Sequence, residues 1–226
     1  MRTAPRGGRR PEPTLRGSGP VCGGVQGHAE VTGGLTTAPP EAFCDANILY
    51  PSLLRDLLIR LAIEQRCRLR WSADVNEEWI NALVRDRGLP RGPLDQTLAL
   101  MNRALPGASV TGFRPLISKL TLPDPDDRHV LAAAIQSGAP HLLTFNLSDF
   151  PGHALPARAP QVIHPDLWLA PVLAWDLQAT CRVLRKLVAP FRRPPVTIPE
   201  VAERLARLQL PQSSSVVQDM TAQGIC

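Results

Sequence analysis

Ala42-Phe43-Cys44-Asp45-Ala46-Asn47-Ile48-Leu49 is an apolar run interrupted by one acid and one amide. A short apolar run of this kind reads as a buried strand, with its carboxyl end near Asp45 to Asn47. A lone ionised acid inside it is costly unless it is paired or holds a metal. Pro51 then opens a helix at a position where its missing N–H is no loss. Leu53, Leu54, Leu57, Leu58 and Leu61 give that helix its apolar stripe, with Arg55, Asp56, Arg60 and Glu64 on the wet face.

Downstream the same alternation repeats. Cys67 to Trp71 predicts a second strand, and Ser72 is a good N-cap for a helix over 73–87. A further helix is expected over 93–104, ended by Pro106-Gly107, then a strand over 108–113. Pro123-Asp124-Pro125-Asp126-Asp127 punctuates the chain and opens a helix to Ser137, stopped by Gly138. His141 to Phe145 predicts the next strand, followed by a turn around Asn146 to Pro151, and Gln161 to Ile163 the last. Alternating strands and helices specify an α/β fold with a central, mainly parallel sheet and helices on both faces. In such sheets chemistry gathers at the carboxyl ends of the strands. After Pro165 the pattern is helical to about 189, broken over 190–195. It resumes at Thr197-Ile198-Pro199-Glu200, a capping-box start to a helix reaching Leu208.

Upstream, residues 1–40 hold six Pro and nine Gly and no hydrophobic period, which predicts disorder. The expected organisation is a disordered extension over 1–40, the α/β domain over 41–170, a C-terminal helical extension over 171–210 and a flexible tail over 211–226.

Hydrophobic residues make up 44% of the chain but aromatics only 4%, so the core must rest on Leu, Ile, Val and Ala. The net charge is +5, of which the five Arg and two Glu of residues 1–40 supply +3. The remaining +2 is too small to argue for nucleic-acid binding by itself. Lys119 and Lys186 are the only lysines; the other basic residues are Arg, the better phosphate fork, although base composition alone produces such a bias. No run of about 18 apolar residues predicts a membrane span. The N-terminus has no apolar core of a secretory signal. Cys22, Cys44, Cys67, Cys181 and Cys226 are scattered, with neither metal spacing nor a disulfide framework, and a reducing cytoplasm is expected.

The carboxylates fall at strand ends and helix starts. Asp45 lies in the first strand, and Glu78 lies six residues after Ser72. Asp124, Asp126 and Asp127 crowd a helix start, and Asp149 follows the strand at 141–145. In a doubly wound sheet those ends converge. Converging carboxylates repel unless a divalent cation compensates them, and Mg²⁺ and Mn²⁺ prefer oxygen ligands. Few histidines and no C-x-x-C pairing argue against zinc.

These residues resemble the PIN domain family, in particular VapC-like toxin ribonucleases. Cys44 to Pro51 resembles the opening strand of that family. Ser72-Ala73-Asp74-Val75-Asn76-Glu77-Glu78 is similar to its second motif, Asp126 to Ala134 to its third, and Thr144-Phe145-Asn146-Leu147-Ser148-Asp149-Phe150 to its T-x-N-x-x-D-F signature. Each is weak alone; four in order are specific. The resemblance covers about 130 residues and reaches neither the head nor the last helices. It implies a three-layer PIN-like fold and a Mg²⁺- or Mn²⁺-dependent endoribonuclease that leaves 5′-phosphate and 3′-hydroxyl ends. It also implies a small cognate antitoxin and a homodimer. The family's first strand normally begins near the N-terminus, so residues 1–40 are either an extension or an overlong start-site assignment.

On this reading Asp45, Glu78, Asp127 and Asp149 are the catalytic and metal-holding residues, with Asp124 and Asn146 as weaker candidates. Glu77 rivals Glu78 but points about 100° away around the helix. Asp124 and Asp126 are alternatively helix-capping acids. Asp149 is alternatively a turn acid bonding its own backbone. Thr144 would orient a carboxylate or a water. His129, two residues beyond Asp127, is expected to face elsewhere and serve packing. Trp71, Trp79 and Trp168 are expected in the core, with Trp175 in the core or on a partner surface. Arg182, Arg185, Arg192 and Arg193 are RNA-phosphate candidates or a solvated face. Two other functions are open: a catalytically silent PIN scaffold that binds RNA or protein, and a haloacid-dehalogenase-like phosphatase. The phosphatase requires Asp-x-Asp, and here the second position is Asn47.

Overall fold

In the computed structural model, which describes residues 38–226, Glu41–Cys44 is the central strand β1 of a five-stranded sheet. Asp45 caps the short helix α1 (Ala46–Leu49), and Pro51 precedes α2 (Ser52–Ile63). Next come β2 (Arg68–Ser72), α3 (Ala73–Arg87), α4 (Arg91–Ala104) and β3 (Ser109–Val110). A helical turn α5 (Arg114–Ile117) and a 3-10 turn (Pro125–Asp127) lead into α6 (Arg128–Ser137). Then follow β4 (His141–Leu143), a 3-10 turn (Leu147–Asp149), another (Gly152–Ala154) and β5 (Gln161–Ile163). The C-terminal part is α7 (Pro165–Trp175), α8 (Leu177–Val188), α9 (Ile198–Arg207) and α10 (Pro211–Ala222).

All strand pairs are parallel, in the order β3-β2-β1-β4-β5. The chain moves outward from β1 through β2 to β3, then returns past β1 to β4. Right-handed crossovers therefore place α2 and α3 on one face and α6 on the other. This is the α/β arrangement expected, with the helical addition after β5. Phe43, Trp71, Trp79, Ile80, Leu131 and Leu142 are among the fully buried side chains that fill the space between sheet and helices. Trp71 and Trp79 are in the core as expected, and so is Trp168.

Local chemistry sets the boundaries. Ser72 Oγ accepts from the Val75 N–H at 3.2 Å and starts α3 at Ala73, and Gly88 ends that helix at φ 62°. Gly138 ends α6 at φ 70°, a conformation that favours glycine. Because Ser72 is fully buried, Ser72→Ala should lower stability by about 1 kcal/mol. Urea unfolding checks this; an unchanged midpoint would show that the cap is idle.

Four expectations need correction. The helix anticipated over 165–189 is two helices. Asp176 separates them, its Oδ1 accepting from the Ala179 N–H at 3.0 Å, so it caps α8 rather than continuing α7. Residues 211–222 form α10 where a flexible tail was expected. That helix packs on α7 and α9, with Val217 and Met220 buried, and its first N–H groups are held by Asp166. The cysteines are not all unpaired: Cys181 and Cys226 form a disulfide across a sequence separation of 45, while Cys44 and Cys67 are free and buried. The strand expected over 108–113 is only Ser109–Val110, with the turn α5 following it. The disorder expected over 1–40 falls outside the described residues, apart from residues 38–40.

Trp175 resolves to the surface, 49% exposed, with the Arg66 guanidinium 4.6 Å over its ring. Among the described residues no helix is long and apolar enough to cross a membrane.

Candidate active site

β1 is the first strand, with β2 on one side and β4 on the other. The direction of winding reverses between β1 and β4, and open α/β sheets form their binding crevice at the carboxyl ends of such strands. Asp45 follows β1 directly, and Thr144 follows β4. Glu78 rides on α3, which leaves the end of β2, and Asp127 caps α6.

Asp45 is the best-fixed acid. Its Oδ1 accepts from the Ala46 N–H at 2.6 Å. Its Oδ2 accepts from Asn47 Nδ2 at 2.7 Å and from the Thr144 hydroxyl at 2.7 Å. Asn47 also donates to Thr144 Oγ1 at 2.9 Å, and its Oδ1 accepts from the Phe145 N–H at 3.2 Å. The amide therefore stitches the end of β1 to the end of β4. Thr144 is fully buried and orients the carboxylate, as anticipated. Only 6% of Asp45 is exposed. Burial pushes its carboxyl up to about 6, against the Thr144 and Ala46 bonds, with Glu78 raising it further.

Asp127 reports on the remaining acids. Burial, and after it the charges of Asp45, Asp149, Asp124 and Glu78, push its carboxyl up to about 7. The charges of acids far apart in the chain thus reach Asp127. They do so at electrostatic range: among the described residues no three Asp, Glu, His or Cys side chains converge at ligating distance.

Glu78 and Glu77 separate cleanly. Glu77 accepts from Arg91 at 2.8 and 2.6 Å and from Asn81 at 3.2 Å, away from the centre. Glu78 instead lies 3.5 Å from His129 Nε2 and within the field of Asp45 and Asp127.

Asp124 behaves as the capping alternative foresaw, its Oδ1 accepting from the Asp126 N–H at 2.8 Å, while its charge still reaches Asp127. Asp126 is exposed. Asp149 sits in a 3-10 turn, where the Ser148 hydroxyl contacts its Oδ1 at 3.4 Å. Asn146 enters the network through its backbone, its N–H donating to Thr144 Oγ1 at 3.0 Å.

His129 departs from expectation. It faces the acid centre, although two residues along one helix would turn it away from Asp127. The reason is that Asp127 precedes α6 and ends the 3-10 turn, so helical angular spacing does not relate the two. Burial alone would lower the His129 imidazole, but Glu78, with Asp74 and Asp45 behind it, raises it above its ordinary value. A histidine two residues after the acid that caps a helix was the available signal.

The donor set fits a hard divalent cation. It is all carboxylate oxygen, Asp45 lies at a strand-end crevice, and burial together with neighbouring acid charge raises Asp45 and Asp127. Arg114 and Arg91 are engaged with Asp74 and Glu77.

Residues 41–148 match the family described as PIN domain. Residues 165–219 match the family described as VapC50 C-terminal domain, a span that takes in α7 to α9 and most of α10. The chain is also 34% identical over 98 residues to a Mycobacterium tuberculosis protein named "Putative ribonuclease VapC50". That match covers 43% of this chain and 57% of the other, so it spans little more than half of that protein.

Proposed function

We propose that this chain, whose residues 41–148 match the PIN domain family, is a Mg²⁺- or Mn²⁺-dependent ribonuclease of the toxin type. The observation that carries the reading is the buried Asp45 carboxylate, held by Asn47 and Thr144 at the carboxyl ends of β1 and β4, with the charge of Glu78 reaching it. Asp45, Glu78, Asp127 and Asp149 would hold the cation. When bound, such a cation supplies water activation near neutral pH and compensates charge on the departing oxygen of an in-line displacement. The chain's own residues prepare the site for it. Thr144 and Asn47 fix the direction of the Asp45 carboxylate. Burial of that carboxylate keeps it poorly hydrated and therefore ready to take a cation. No protein nucleophile is needed, and the products carry 5′-phosphate and 3′-hydroxyl ends.

The phosphatase alternative loses further ground. Its second acid position is Asn47, whose amide is committed to Asp45, Thr144 and Phe145. The silent-scaffold alternative would not require all four acids at one centre.

The proposal extends to a small cognate antitoxin. A groove of about 620 Å³ runs between α2, α4 and α8, lined by Leu53, Ile59, Ile63, Leu100 and Met101, with Arg103 and Arg204 also in its wall. Ile63, Leu100 and Phe191 are 51%, 62% and 46% exposed there, which suits an amphipathic partner helix. A homodimer belongs to the same reading. A cytoplasmic location, where RNA is met, belongs to the same reading. The nuclease domain is placed at 41–170.

Cleavage of a structured RNA with Mg²⁺ or Mn²⁺ present, and none in excess EDTA, is the expected result. Full cleavage in EDTA, or turnover of p-nitrophenyl phosphate in place of RNA, would overturn the reading. Within the same assay Glu78→Gln should lose activity by roughly 100-fold, while Glu77→Gln stays within about twofold. The opposite order would reassign the ligand.

A further inference from the structure

We propose that His129 is a positioning residue, whose imidazole Nε2 holds the Glu78 carboxylate on the acid centre. The inference rests on the reading of those acids as ligands for a divalent cation.

The four acids are not equally fixed. Asp45 is held by the Ala46 N–H, Asn47 and Thr144. Asp127 and Asp149 have short side chains mounted on a helix start and a tight turn. Glu78 is different. Its side chain is 51% exposed, and it carries one more rotatable bond than an aspartate. Holding such a chain in one place costs rotamer freedom, so a ligand of this kind needs an anchor. Its neighbour Glu77 shows what anchoring does: Arg91 and Asn81 pin it away from the centre.

For Glu78 the polar partner among the described residues is His129, with Nε2 at 3.5 Å from Oε2. An ionised carboxylate only accepts, so in this ion-pair contact Nε2 is the side that carries the proton toward it. The ring is itself well placed to serve as an anchor. It projects from the first turn of α6, its side chain is 23% exposed, and the next residue, Val130, is buried in the core. Its Nδ1 is buried and has no partner among the described residues, so Glu78 is the ring's polar contact. The contact joins α3 to α6, elements on opposite faces of the sheet, across the crevice where the acids meet. Partners of this kind, which orient a metal ligand without touching the metal, change affinity by about 10- to 100-fold when removed.

Mn²⁺ titration calorimetry on the full chain tests the inference, alongside kcat and KM on an RNA oligonucleotide and the melting temperature of each variant. His129→Leu, which keeps an apolar body and removes the donor, is expected to weaken Mn²⁺ binding about tenfold and to lower kcat more than KM. His129→Gln, which returns a donor at similar reach, is expected to recover most of the affinity. Adding His129→Leu to Glu78→Gln is expected to cause no further loss, because the anchored group is already gone. A His129→Leu protein that melts like the parent and binds Mn²⁺ like the parent overturns the inference while leaving the acid centre standing. So does a further tenfold loss in the Glu78→Gln background. If Glu78→Gln itself binds Mn²⁺ unchanged, Glu78 is no ligand, and the site reading falls together with the role given to His129.

Discussion

Asp45→Asn is expected to abolish cation-dependent RNA cleavage while making the metal-free protein more stable. The substitution keeps the shape of the side chain and its cap on Ala46, but removes the charge. Loss of that charge should slow cleavage by roughly 1,000-fold, about 4 kcal/mol of barrier, since a central ligand is gone. Stability moves the other way. The Asp45 carboxyl is raised from its ordinary value to about 6 by burial, so the folded state disfavours its ionised form. For an acid raised on folding, stability is fully present below the unfolded value near 4 and is lost as pH climbs through about 6. In EDTA at pH 8 the native protein bears that penalty of about 3 kcal/mol, and the asparagine does not. One cost offsets it: the new amide faces the Asn47 amide, and a poorly matched pair costs about 1 kcal/mol. Asp45→Asn should therefore gain about 2 kcal/mol in EDTA at pH 8 and lose up to about 1 kcal/mol at pH 4. Urea unfolding at both pH values measures this. Equal stabilities at pH 8 would mean that the buried charge is no burden.

Asp166→Ala should unfold more readily by about 3 kcal/mol, without loss of Mn²⁺ binding. Asp166 is 3% exposed, and its two carboxylate oxygens accept from the Gln212 and Ser213 N–H groups, each at 2.8 Å. Those are the opening donors of α10, whose own N-cap residue, Leu210, offers no side-chain bond. Removing the acid leaves two helix-start donors in a packed environment, each costing about 1 to 3 kcal/mol, less what water recovers. The melting temperature should fall by roughly 6–12 °C for a domain of this size. Calorimetric melting checks it, with Asp166→Asn expected to fall in between because one oxygen remains. A drop below 2 °C would show that α10 does not depend on α7.

These cases also show what a single sequence exposes. The strand before Asp45, the Ser72 cap and the Thr197–Glu200 capping box are legible because their causes are local: an apolar run, a hydroxyl three residues before an N–H, a reciprocal pair. The order of the acids along the chain was legible too, through the motifs around Asp45, Glu78, Asp127 and Asp149. What escaped was set at a distance. The α10 segment, Pro211-Gln212-Ser213-Ser214-Ser215, looks like a polar tail, because the group that caps it lies 46 residues upstream of Gln212 and two of its buried residues are serines. Asp176 looked like the interior of a long helix, because nothing nearby announces that its side chain turns back to cap α8. His129 was misplaced because the angle argument assumed that one helix carries both it and Asp127.

The position of the C-terminal helices gives them a structural reason. α8 packs against α2, and Lys186 pairs with Glu64 at 2.5 Å across that contact. α2 follows directly from the strand and short helix that present Asp45, so the added helices brace the element behind the acid centre.

Crystals of the full chain grown with Mn²⁺ and measured at an anomalous wavelength would test the central claim most directly. An anomalous peak enclosed by the carboxylates of Asp45, Glu78, Asp127 and Asp149 is the predicted result. A map with those carboxylates on separate surfaces, and no peak between them at saturating Mn²⁺, would contradict it.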